Sequence, residues 1–125
     1  MKSRENLVRL KLFQVNEKRR QLTQLENMIT EFDRMAAELD LQVAAEEKKS
    51  GITDVAHFAY PTFAKAARQR RDNLNHSKSE LMVQKEAAEV ALVEAEAELS
   101  KAQALEERDG RPREIEAGGR AGMIG

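Results

Sequence analysis

The first fifty residues contain neither proline nor glycine; the earliest glycine is Gly51 and the earliest proline Pro61. A stretch so long without a helix breaker favours one continuous α-helix, provided its apolar residues share a face. They do. Every seventh residue from Val8 is apolar, through Val15, Leu22, Ile29, Ala36 and Val43, and a complementary series runs Lys11, Lys18, Leu25, Phe32, Leu39. The alternating three-four seam is the pattern of a helix packed along its length on a partner helix.

The seam then stops. Lys48 and Lys49 stand where cations favour a helix C-terminus, and Gly51 suits the left-handed residue just beyond it. Asp54 can cap a short turn, and Pro61 fits the first position of a new helix. A second seam follows: Ala64, Ala67, Arg71, Leu74, Lys78, Leu81, Lys85, Ala88, Leu92, Ala95, Leu99 and Ala102. Arg108, Asp109, Gly110 and Pro112 end it, and the Gly-rich, aperiodic tail reads as disordered. The expected organisation is a coiled coil over residues 1–108, with helices near 4–49 and 61–107, a connector at 50–60, and a disordered tail over 109–125. Each helix would be roughly 70 Å long at 1.5 Å per residue.

Charge predicts the direction of pairing. Residues 1–20 carry seven Lys/Arg against two acids, and residues 26–47 carry seven acids against Arg34 alone. In the second helix the order is opposite: residues 65–78 hold five bases against Asp72, and residues 80–107 hold eight acids against two lysines. Antiparallel pairing sets unlike charge beside unlike at both ends, whereas parallel pairing sets like beside like. The expected fold is all-α, an antiparallel two-helix coiled-coil hairpin.

Composition narrows the function classes. Charged residues are 34% of the chain and aromatics 4%, and the apolar fraction is rich in Ala, which suits close helix packing better than a broad core. A net charge of −1 points to no nucleic acid, and the absence of Cys removes disulfides and thiolate metal sites. The N-terminal residues lack the apolar run of a signal peptide and no window approaches a membrane span, so the chain reads as cytosolic, without membrane insertion. No catalytic constellation is found. His57 and His76 have no second ligand at metal spacing, Glu94, Glu96 and Glu98 fit a solvated face, and neither GRPRE nor GGRAG follows a strand or ends as a phosphate loop. The expectation is a protein that is not an enzyme, with no cofactor, metal or small-molecule substrate.

Three features remain. In LVRLKLFQV, residues 7–15, apolar side chains spread around most of the helix, yet one partner helix covers only the side holding Val8, Val15 and Leu12 at its edge. Leu7, Leu10 and Phe13 then face another molecule or tail residues near Met123 and Ile124, and a partner is favoured. The basic clusters EKRRQ and ARQRR each fall beside an acidic stretch of the other helix, without interleaved aromatics, which argues against nucleic acid. Third, three of the five aromatic residues, Phe58, Tyr60 and Phe63, gather at the connector. Some of them can cap the seam against Val43 or Leu39, while Phe63 with Ala67 and Leu74 forms a stripe that a partner could grip.

The basic first helix, the Ala/Glu-rich return helix and above all the segment H-F-x-Y-P-x-F-x-K-A (residues 57–66) resemble the flagellar export protein FliJ family, in particular its alphaproteobacterial branch. The resemblance covers about residues 1–108. It implies a stalk-like adaptor of type III protein export, needed for flagellum assembly and motility, cytoplasmic and peripheral at the inner face of the membrane at the flagellar base. Implied partners are the hexameric flagellar export ATPase, whose central hole the paired termini enter, the cytoplasmic domain of the export gate protein, and export chaperones. The family's gate-facing motif, Y-x-x-F-x-x-x-L, maps onto Tyr60, Phe63 and Ala67, the last lacking the large aliphatic, so that Phe58 or Leu74 would share the contact. Leu7, Leu10, Leu12 and Phe13 fall at the implied ATPase-binding tip. The hairpin would be a monomer on its own; the alternative from another class is a generic coiled-coil chaperone or scaffold acting as a dimer.

Overall fold

The computed structural model describes residues 2–110, which form an antiparallel two-helix hairpin: α1, Lys2–Ser50, and α2, Thr62–Gly110. Most of the tail expected to be disordered, from residue 111, lies outside the described residues, as do Met123 and Ile124. Both helices contain 49 residues. α1 starts at Lys2, and Arg4 in its first turn bonds through Nε to Asp109 near the end of α2 at 2.8 Å. α2 starts at Thr62, one residue after Pro61, whose carbonyl accepts the Lys65 N–H at 3.0 Å. Pro61 is thus the residue preceding the first helical position, where its lack of an N–H is equally harmless.

The described residues divide into two compact units, 2–22 with 88–110, and 23–87. In the first, Val15 and Ala102 are buried, and the seam residues Val8, Lys11, Lys18, Leu22, Ala88, Leu92, Ala95 and Leu99 are half-buried. Beyond the Arg4–Asp109 pair, Arg19 reaches Glu96 at 3.5 Å. In the second unit, Leu39, Val43 and Ala67 form a buried cluster with Leu74 packed against it, and Ala36, Ala64 and Leu81 are also buried. Its interhelical ion pairs include Lys85–Glu26 at 4.0 Å, Lys78–Asp33 at 2.7 Å, Arg71–Asp40 at 2.9 Å and Arg68–Glu47 at 3.7 Å. Within both units, partners rise in number on one helix as they fall on the other, which is the antiparallel order that the charge blocks select. Each exposed pair contributes only ~0.2–1 kcal/mol, so their main effect is to disfavour the parallel alignment. The core is thin and Ala-rich: alanines let the backbones approach closely, and Val15 is the one large side chain fully removed from water among the described residues.

Gly51 ends α1. Its N–H bonds the Glu47 carbonyl at 2.8 Å and its φ is +74°. A Cβ there would meet no atom within 4 Å, so the backbone conformation, not space, calls for glycine.

Candidate partner-binding surfaces

The first surface lies on the first unit. At ~100° per residue, Leu10 and Phe13 fall on the opposite side of α1 from Val15, which the seam buries. They are 51% and 63% exposed. Leu12 stands at the edge of the seam and stays 45% exposed, so the cover expected for it is incomplete. Leu7, on the other edge, is half-buried. Of the four residues assigned to a tip, three face outward and one belongs partly to the seam. Beside them runs an open groove floored by Phe13, Ala91 and Ala95 and walled by Gln14, Glu17, Lys18, Gln21, Glu94 and Glu98. Glu17 is held by Arg20 at 2.8 Å, and that hydrogen bond, ahead of charge attraction, keeps its carboxyl below the usual range.

The second surface lies on the second unit, where the connector folds by local hydrogen bonds. The Asp54 carboxylate accepts the Ala56 N–H at 3.0 Å and the Asp54 carbonyl accepts the His57 N–H at 3.0 Å. His57 then accepts twice, at Nδ1 from the Ala59 N–H and at its carbonyl from the Tyr60 N–H, both at 3.0 Å. Such Asx-type turns fix a short chain without a core. Phe58 projects from it 96% exposed, and the His57 ring stacks on it at 4.8 Å between centroids. Tyr60 turns the other way. It is 8% exposed, and its hydroxyl donates to Glu47 Oε2 at 3.0 Å, an oxygen that Arg68 also approaches at 3.7 Å. Loss of water around the ring, then the bond to Glu47, raises the phenol above its ordinary value.

The aromatic stripe read from the sequence is therefore divided. Tyr60 and Ala67 are buried and belong to the packing between the helices; they offer no surface to a partner in this conformation. The physical reason is the seam itself, because Tyr60, Ala64 and Ala67 continue its three-four spacing into the turn. Phe63 is 57% exposed, and half-buried Leu74 lines a shallow groove with Met35, Arg70, Asn73 and Ser77. Of the residues expected to bind a gate, Phe58, Phe63 and the edge of Leu74 are therefore the accessible ones. Sequence reasoning missed Glu47 as the partner of Tyr60, since no spacing rule joins residues across a turn.

The basic clusters are largely engaged: Arg19 with Glu96, Arg20 with Glu17, Arg68 with Glu47, and Arg71 with both Asp40 and Asp72. Among the described residues no group of three or more His, Cys, Asp or Glu side chains could hold a metal ion, and no helix is long and apolar enough to cross a membrane. The chain matches no model of a known protein family, no curated protein and no solved structure.

Proposed function

We propose that this chain is a non-enzymatic, FliJ-like adaptor of flagellar type III protein export, coupling the hexameric export ATPase to the cytoplasmic domain of the export gate and meeting export chaperones on the way. The observation that carries the reading is the exposed pair Leu10 and Phe13, with Leu12 at the seam's edge, on a helix whose seam is already filled. A helix that exposes large apolar residues opposite its packed face is built for a second contact. These residues serve as the ATPase-facing surface, and Phe63 with the Leu74 groove serves as the gate-facing one. The protein works at the inner face of the membrane at the flagellar base, as a monomer. The H-F-x-Y-P-x-F-x-K-A segment supports the same reading.

Leu10→Asp with Phe13→Asp tests it. The double variant keeps its helicity by circular dichroism and loses stimulation of the export ATPase; full stimulation would rule the assignment out. Val90 and Val93, exposed on α2, favour a second reading, a coiled-coil scaffold that self-associates through this face. Sedimentation equilibrium separates the two: a mass independent of concentration supports the adaptor.

A further inference from the structure

Phe58 is not used by the packing of the second unit, and the gate-facing groove lies along α2 rather than on the turn. We propose that the turn docks onto an anionic lipid surface, with Phe58 entering the headgroup region and Lys48, Lys49 and Lys65 meeting lipid phosphates. This goes beyond the adaptor reading and does not depend on it.

Three observations carry the proposal. The Phe58 ring is 96% exposed, yet its backbone is held by the hydrogen bonds around Asp54 and His57, so little ordering remains to oppose insertion. Exposed lysines flank it: Lys48 and Lys49 in the last turn of α1 and Lys65 in the first turn of α2, none with an ion pair among the described residues. The neighbouring acids do not cancel them. Glu47 is taken by Tyr60 and Arg68, Asp54 caps the turn, and half-buried Glu46 is the one acid left. A stable protein interface needs about 800 Å² from each partner, more than a single ring on a short turn supplies. A bilayer asks for less. An interfacial aromatic with cations around it is sufficient for reversible binding, and lysine stems can lie along the apolar boundary while their ammonium groups reach phosphate.

The test is co-sedimentation of the full chain with phosphatidylcholine vesicles, with and without phosphatidylglycerol at roughly one lipid in three. The protein partitions onto the anionic vesicles, not the neutral ones, and leaves them at about 0.5 M salt, where screening is strong. Phe58→Ala lowers the partition coefficient about tenfold, and the triple change Lys48→Gln, Lys49→Gln, Lys65→Gln about a hundredfold. Circular dichroism of both variants matches the parent, since Phe58, Lys48, Lys49 and Lys65 are all exposed. No binding to anionic vesicles, equal binding to neutral ones, or an unchanged coefficient for Phe58→Ala overturns the proposal. If vesicles fail while Phe58→Ala abolishes binding to the isolated gate domain, the turn is a protein anchor and the lipid assignment falls. The vesicles contain no protein, so failure on them leaves the adaptor reading intact.

Discussion

Leu10 and Phe13 are exposed because residues 7–15 hold more apolar side chains than one partner helix can cover, whereas Phe58 is exposed because a hydrogen-bonded turn holds it outward. The first surface is an excess on a regular element: its positions follow from the helical period, and every residue remains helical whether or not a partner arrives. The second is a property of backbone chemistry, in which Gly51, Asp54 and His57 shape a loop that turns Tyr60 inward and leaves Phe58 out. A helical surface of the first kind tolerates substitution without loss of fold. The turn is less forgiving, because its backbone bonds and the buried Tyr60 depend on one another.

Substitutions can break this contrast, beginning with the largest effect. Val15→Asp places a charge at a position with no exposure and lowers stability by about 3–5 kcal/mol, read as a fall in the thermal midpoint. Phe13→Asp, on the opposite side of the same helix, changes stability by no more than ~0.5 kcal/mol. In the turn, Gly51→Ala forces a side chain into the left-handed region and costs about 1–2 kcal/mol by denaturant unfolding.

Tyr60 gives a finer probe, because it is the single tyrosine and there is no tryptophan. Its phenol is raised, so the folded state holds the proton more tightly than the unfolded state does. The resulting stabilisation is present below about pH 10 and fades as pH rises through the folded value. Phenolate absorbance should therefore titrate above the ordinary tyrosine range in the parent, and closer to it in Glu47→Gln. Asp33→Asn has a similarly small effect: it breaks the pair with Lys78 and costs ~0.2–1 kcal/mol, less at high salt.

Much of the fold is legible in the sequence because a seven-residue apolar period has one good geometric solution. Each seam residue from Val8 to Val43, and from Ala64 to Ala102, is buried or half-buried in the structure. The charge blocks likewise match Arg4–Asp109, Lys78–Asp33 and Arg71–Asp40. The candidate surfaces were less legible. Leu10 and Phe13 could be placed by angle alone, but Tyr60 and Phe63 look alike in a string of letters. What separates them is whether the seam spacing continues through the turn, together with a bond from Tyr60 to Glu47 across thirteen positions. Neither Lys48 nor Lys49 signals its lack of an acidic partner until the contacts of Glu46, Glu47 and Asp54 are known.

The central claim is that two separate surfaces engage two different partners. It is tested most directly by measuring ATPase stimulation and gate-domain affinity on the same pair of variants, Leu10→Asp/Phe13→Asp and Phe63→Ala. The account predicts that the first loses stimulation and keeps its calorimetric affinity for the gate domain, while the second keeps stimulation and binds the gate domain about tenfold more weakly. Loss of both activities in each variant, with helicity retained, would contradict it.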